Sequence, residues 1–479
     1  VEKIVVGGKS LKKATFKKNL IFAFLAQGIS LTMNFLMSLF VPRILNVENF
    51  SFWQLFIFYS GFVGFFHFGL NDGIYLKLGG KEYESLDYSL IKKQYKISLM
   101  FQILSSLLLI VITMIFVRDY SRIFVIGMTI IFLFISNSVN FFGFIFQAVN
   151  RTNVFSISVL IDRLLFLIVI LVSLLLGIQR FEFYVLAYVM SKTFAMIYSF
   201  IKGKEIILAK KISFVEAWPS FVEHINIGLI LMLANLASIF ILGISRFFID
   251  NHWGIEVFGK VSLALSLTFF FLTFINQFSM VLFPTLRQID SNRQKEFYLV
   301  ARSFLRLTLP LIFLIYLPLK LVLEIWLPQF QQSFQFLFLL LPICLFDGKM
   351  QLTCNTFFKV LRQEKYLLRI NIITAFITFV LAIISVYIFN NIYFAIFSIT
   401  VSIGFRSIIS ELYLSKLMKH DISFELLQDV LYVIIFLLSN FIFSDLIAFI
   451  VISLIYILFL CLNVKDVLKI KKVIFKTKI

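Results

Sequence analysis

The sequence predicts an all-α integral membrane protein with about 14 transmembrane helices, grouped as two pseudo-symmetric six-helix lobes followed by an extra C-terminal helix pair. Three observations predict it: an apolar, charge-poor composition, basic residues gathered on one side of the predicted spans, and an internal repeat offset by six helices.

Of the 479 residues, 61% are hydrophobic and 14% charged, whereas an ordinary soluble domain carries about 25% charged residues. Apolar runs of the roughly 20 residues that a helix needs to cross a bilayer recur from Leu20 almost to the C-terminus. Spans are placed at about 20–41, 52–70, 97–117, 123–148, 156–178, 183–201, 221–245, 257–283, 304–322, 335–357, 370–389, 392–414, 427–443 and 446–463. The polar segments between them are at most about 25 residues long, so no separate soluble domain is expected. The basic N-terminal stretch resembles the charged region of a signal peptide, but the apolar run after it is long and lacks a small-residue cleavage pattern, and it reads as an uncleaved first span.

The net charge of +19 would suggest a nucleic-acid partner in a soluble protein, but placement decides the matter here. Clusters lie at Lys3 to Lys18, Lys77 to Lys96, Lys202 to Lys211, Arg287 to Arg306, Lys359 to Arg369 and Lys465 to Lys478. An even number of spans puts both termini on one side. If that side is the cytoplasm, about three quarters of the 44 Lys and Arg are cytoplasmic, as the positive-inside rule requires. These clusters also suit an anionic inner leaflet, and no nucleic acid is expected. Trp53, Trp218, Trp253 and Trp326 lie near predicted span ends, where interfacial anchors belong. The Phe-rich aromatic share is expected to serve packing and lipid contact.

The repeat has two parts. Arg43 precedes Glu48-Asn49-Phe50-Ser51 before the second span, and Arg246 precedes Glu256-Val257-Phe258-Gly259 before the eighth. Phe141-Phe142-Gly143 is followed seven residues beyond the Gly by Asn150, and Phe346-Asp347-Gly348 by Asn355. An offset of six helices preserves orientation, so the halves are parallel repeats with substrate expected between them. The resulting division is residues 1–211 for the first lobe, 212–420 for the second, and 421–479 for the helix pair and basic tail.

Enzymes of the hydrolase and transferase classes need a nucleophile with a base, paired carboxylates or a metal cluster. The four histidines, His67, His224, His252 and His420, are scattered without metal-ligand spacing, and Cys344, Cys354 and Cys461 all fall in apolar runs. The chain therefore reads as a transporter without catalytic residues, metal or cofactor. Charge inside spans is then the functional signal, because each such residue costs about 2.5–3.5 kcal/mol at a helix centre on insertion scales. Asp347 and Lys349 lie near the middle of the tenth span, five residues beyond Pro342, which loosens the helix. They point about 200° apart on a helix and cannot readily pair with each other. Asp162-Arg163 lies in the fifth span, Lys192 in the sixth and Arg406 in the twelfth, with Glu411 nearer its end; each arginine either lines a cavity or snorkels to the surface. Arg43 and Arg246 flank predicted outer helix ends, where a cation suits the helix dipole, and their matched positions also make them candidates for substrate contact at an outer gate. Asn71-Asp72-Gly73 reads as a helix stop and turn, with Asp72 as a candidate coupling or gating carboxylate.

The stretch VPRILNVENFSFWQLFIFYSGFVGFFHFGLNDGIYLKLGGKEYESLD is similar to the N-terminal region of bacterial polysaccharide flippases of the multidrug/oligosaccharidyl-lipid/polysaccharide exporter superfamily, with Phe68 to Gly80 its most specific piece. SRFFID before EVFGKVSLALS and the later VLFPTL resemble that family's second-lobe opening, and Phe146 to Arg163 its fourth-to-fifth transition. The resemblance implies two six-helix lobes forming a V around a central cationic cavity. It also implies transport of undecaprenyl-diphosphate-linked oligosaccharide units across the bacterial cytoplasmic membrane by alternating access, coupled to a proton or sodium gradient or to the membrane potential. A polysaccharide polymerase and chain-length proteins are candidate partners. Related lipid II flippases carry several arginines early in the first lobe, whereas Leu20 to Val41 has none. On this reading Arg163, Lys349 and Arg406 hold the anionic head, and Asp72 and Asp347 serve coupling or gating. A cation-coupled drug exporter of the same superfamily, and a membrane-embedded polymerase or ligase, stay open as alternatives.

Overall fold

Twelve helices among the described residues are long and apolar enough to cross a membrane, and two further helix pairs, each bent at a short break, bring the number to 14. The computed structural model describes residues 3–6, 9–286 and 291–464; the basic tail from Lys465 and the residue Arg287 lie outside them. Contacts divide the chain into two units, Val1–Ile239 and Phe240–Ile479.

In the first unit a short antiparallel pair, Lys3–Val6 with Lys9–Lys12, precedes the first helix; the sequence reading did not foresee it. Then come α1 (Lys13–Leu39), α2 (Val41–Ile44), α3 (Val47–Ser60), α4 (Leu70–Leu78), α5 (Tyr88–Phe116), α6 (Tyr120–Ala148), α7 (Thr152–Leu176), α8 (Phe181–Lys202), α9 (Lys204–Leu208) and the beginning of α10 (Phe214–Trp253). Helix starts follow capping chemistry: Asn46 accepts from the Asn49 amide (2.8 Å), and Asp87 from that of Leu90 (3.0 Å). Helix α7 packs on α1 and α8, and α6 on α3, α4 and α8. Between them Trp53 is 0% exposed, ringed by Phe56, Phe166, Tyr184 and Tyr188. This corrects its assignment as an interfacial anchor: α3 starts at Val47, so Trp53 lies two turns inside the helix. Trp218 and Trp326 are partly exposed.

A second correction concerns Asn71-Asp72-Gly73, which begins a helix instead of ending one. The break lies just before it, where Phe68 (φ 52°) and Gly69 (φ 86°) are left-handed and turn α4 by 58° from the Val47–His67 segment. Glycine is required here for space as well. A Cβ on Gly73 would run into the carbonyl of His224 on α10, and one on Gly228 would run into the backbone of Gly69 and Gly73. Two backbones therefore touch where α4 crosses α10.

The second unit holds the rest of α10, then α11 (Ile255–Leu286), α12 (Ser291–Thr308), α13 (Leu311–Trp326), α14 (Gln331–Leu340), α15 (Pro342–Lys349), α16 (Thr356–Val360), α17 (Glu364–Ile383), α18 (Ile392–Leu417), α19 (Ser423–Ile442) and α20 (Asp445–Leu462). Pro342 marks a 47° bend between α14 and the segment that follows, and residues Met350–Asn355 form a π-helical stretch, a feature frequent at functional positions. The segment 284–303, read as a cytoplasmic loop, is helical over its described part, and residues 293–326 form one long span. Helix α10 runs on to Trp253 and ends at Gly254 (φ 85°). In both units large apolar side chains remain on the outside, such as Leu104, Leu175, Phe441 and Leu446, the surface that a bilayer solvates.

The repeat is visible locally. Glu48 and Glu256 each stand in the first turn of a helix, and the Phe residues two positions on, Phe50 and Phe258, are both fully buried. Gly143 and Gly348 are both crowded, by the ring of Phe155 and by the side chains of Ile275 and Leu309 respectively.

Candidate functional site: ionisable residues inside the spans

Asp347 and Lys349 emerge from α15 in different directions and find different partners. Asp347 accepts from the Arg406 guanidinium of α18 and from Gln351 Nε2 (3.2 Å). Lys349 reaches Glu411 of α18 (3.4 Å) and Asp429 of α19. Arg302 of α12 bonds Glu411 through Nε (3.0 Å) and also meets Glu425 of α19, while Arg306 lies 3.4 Å from Asp429 and donates to Gln428. Three cations and three carboxylates thus form one network, with the Asp347–Arg406 pair beside it. Side chains of Lys349, Glu411 and Asp429 are each 1% exposed. Removing such ions from water costs several kcal/mol each, and only close, balanced pairing offsets it; a three-to-three network meets that condition.

Arg302, Arg306, Glu425 and Asp429 were not singled out in the sequence. Arg302 and Arg306 stand four apart on α12, and Glu425 and Asp429 four apart on α19, so each pair shares a helix face. Matched faces of opposite charge are the signal that was present. Through them the C-terminal helix pair is fastened to α12 and α15.

The first unit carries a smaller group. Asp162, buried on α7, accepts from Lys192 Nζ of α8 at 3.1 Å, while Arg163 Nε lies 3.9 Å from the same carboxylate. Arg163 stands midway along α7. Its side chain is 27% exposed, its Nη1 is 3.7 Å from the Met33 sulfur, and its Nε has no hydrogen-bond partner. At the α3–α4 break, His67 Nδ1 accepts from the Gly69 amide (3.0 Å), and His67 Nε2 is 3.8 Å from buried Asp72.

The outer-gate candidates differ from one another. Arg43 is exposed in the last turn of α2. Arg246 is not at a helix end, because α10 continues to Trp253; its Nη2 donates to Ser262 Oγ (2.8 Å), and its guanidinium lies 5.0 Å from the Phe258 ring. The helix-end position expected of both therefore holds for Arg43 alone, and on a helix of a single turn. The structure brings Asp347 together with Arg406 and places Lys349 beside them in the same unit; Arg163 and Asp72 lie in separate places in the other unit. Among the described residues no group of three or more His, Cys, Asp and Glu side chains could hold a metal ion.

Helices of this number, two of them broken, define an all-helical polytopic membrane fold, and solved structures that share it include transporters of the multidrug/oligosaccharidyl-lipid/polysaccharide superfamily. An inward-closed lipid II flippase MurJ structure matches with a TM-score of 0.65 at 15% identity, covering 94% of this chain and 99% of that one. An inward-facing multidrug resistance transporter of the MATE family gives 0.56 at 12% identity, over 81% and 94%. A further transporter of that superfamily, from Pyrococcus furiosus, gives 0.51 at 12% identity, over 86% and 99%. The family profile described as polysaccharide biosynthesis protein matches residues 16–290, more than half of the chain, and the chain belongs to that family. No curated protein sequence matches it significantly.

Proposed function

We propose that the protein is a flippase that carries undecaprenyl-diphosphate-linked oligosaccharide repeat units from the cytoplasmic to the outer face of the bacterial cytoplasmic membrane, by alternating access, for surface polysaccharide biosynthesis. Membership in a polysaccharide biosynthesis family and a fold shared with a lipid II flippase support lipid-linked cargo. The observation that carries the proposal is Arg163, a guanidinium midway along a span whose side chain stays 27% exposed beside Asp162. Guanidinium matches phosphate oxygens in a bidentate fork, so a diphosphate head suits the exposed part of this side chain.

Lys349 and Arg406 take part on this reading by exchange. An incoming phosphate competes with Asp347 for Arg406, and a carboxylate released in a buried setting takes up a proton or a sodium ion. Cargo then takes the guanidinium and the coupling ion the carboxylate it leaves, with Asp347 as the coupling group. Arg43 and Arg246 are proposed as substrate contacts at the outer end, and Asp72 as a gate at the α3–α4 break. Both termini are proposed to be cytoplasmic.

The test is reconstitution in liposomes with a radiolabelled lipid-diphosphate oligosaccharide, scoring its accessibility to an external modifying reagent. The expected result is translocation well above that of empty liposomes, reduced tenfold or more by Arg163→Gln and less by Arg163→Lys. Translocation equal to that of empty liposomes, with folded protein present, refutes the proposal.

A further inference from the structure

Five lysines converge where the start of α5 meets the linker into α10. Ser89, Lys92, Lys93 and Lys96 of α5, with Lys210, Lys211 and Ile212 of the linker, line a cleft of about 120 Å³. The four α5 residues follow i, i+3, i+4, i+7 spacing, so they share one face, and like charges at those spacings repel. The walls are held in place. Lys92 Nζ donates to the Ala209 carbonyl (2.7 Å), tying helix to linker, and Lys93 lies 6.0 Å from the Phe214 ring.

The carboxylates nearest in sequence are engaged elsewhere. Asp87 caps α5 through the Leu90 amide (3.0 Å), Glu205 accepts from the Tyr83 hydroxyl (3.2 Å), and Glu216 from the Ser213 amide (3.1 Å). Among the described residues, none of the five lysines stands in an ion pair. In the second unit Arg302, Arg306, Lys349 and Arg406 each meet a carboxylate; here five lysines, three of them exposed, share a cleft without one.

What lies next to the cleft indicates the ligand. The same face of α5 continues from Lys96 into Met100, Ile103, Leu104 and Leu107, all more than half exposed. On the α10 side, Phe214 and Trp218 stack at 5.1 Å between ring centroids, and Val215 is exposed. Tryptophan beside lysine at the start of an apolar stripe is the arrangement of a membrane interface.

We infer that this cleft binds the phosphate of an anionic phospholipid, whose acyl chains lie along the Met100–Leu107 stripe. The site is separate from the proposed transport residues, since Arg163, Lys192 and Asp162 lie on α7 and α8. The inference requires only that the chain spans a membrane, and it stands or falls independently of the flippase proposal.

The test is native mass spectrometry of the purified full chain titrated with phosphatidylglycerol. The triple variant Lys93→Gln, Lys96→Gln, Lys211→Gln is compared with a charge-matched control, Lys365→Gln, Lys416→Gln, Lys419→Gln, and both are checked for unchanged thermal stability. The expected result is a loss of lipid affinity of tenfold or more in the first variant and a change under twofold in the control, with binding kept by Lys→Arg changes at the three cleft positions. Equal loss in both variants, or none in the first, overturns the site, because adhesion is then a matter of total charge. Soluble glycerol phosphate is titrated in parallel. Binding at least tenfold weaker than the lipid supports the acyl stripe, and equal binding overturns the lipid assignment in favour of a free phosphate.

Discussion

The first unit breaks a span with two left-handed residues, Phe68 and Gly69, and presses α4 against α10 so closely that side chains are excluded at Gly73 and Gly228. The second breaks a span at Pro342 and follows it with a π-helical stretch. Ionisable groups differ in parallel. Asp162 gathers Lys192 and Arg163 into a group of three on two helices, with Arg163 27% exposed, while Arg302, Arg306, Lys349, Glu411, Glu425 and Asp429 form a larger, buried network. Charge inside a span therefore has two distinct uses in one chain. In the second unit cations and carboxylates from four packed helices fasten those helices together; in the first, on the proposal above, a partly exposed Arg163 beside Asp162 meets an anion.

The strongest way to break this comparison is to open the closed network. Lys349→Met leaves Glu411 and Asp429 under-compensated in a buried site and is expected to destabilise the protein by about 3–5 kcal/mol, read as a fall in thermal unfolding temperature in detergent. In a double-mutant cycle with Asp429→Asn, the coupling is expected at about 0.5–3 kcal/mol. A coupling near zero would remove the network's fastening role. The next effect belongs to the first unit. Gly73→Ala places a methyl against the α10 backbone and is expected to cost about 1–3 kcal/mol, while Gly64→Ala, with nothing within 4 Å of its Cβ, stays within about 0.5 kcal/mol. Equal effects would show that the α4–α10 contact is loose.

Smaller still, Asn46→Ala removes the cap of α3 and is expected to lower stability by about 1 kcal/mol, measured in the same assay. Smallest is the pair Lys77–Glu223, exposed on α4 and α10. Lys77→Gln is expected to leave the unfolding temperature unchanged at moderate salt, because solvent screens such pairs. A clear drop would make this pair a latch beside the glycine contact.

The span count was legible because apolar runs near 20 residues have one physical explanation in a chain this poor in charge. Pro342 as a break was legible too, since its missing amide acts locally. Boundaries were harder. Trp53 was placed at an interface because its span was started five residues late, and the α4 turn was assigned to Asn71-Asp72-Gly73 although the left-handed residues are Phe68 and Gly69. Turn chemistry marks a neighbourhood, and several candidates stood within six residues. The network was out of reach for another reason. Arg302 meets Glu411 and Glu425 from positions 109 and 123 residues away in sequence, and which helix packs beside which is not written in any single face. Asp347 and Lys349 were found because a lone charge in an apolar run stands out; Arg302 was not, because it lies in a polar stretch that resembles a loop, nor was Arg306, at the very edge of its predicted span.

The fastening of α19 bears on the history of such chains. Glu425 and Asp429 supply two of the network's three carboxylates, so a stop codon after α18 would leave Arg302, Arg306 and Lys349 with one of them, Glu411. A twelve-span relative is expected to carry apolar or uncharged residues at the positions matching 302, 306 and 349, which an alignment of such chains would check.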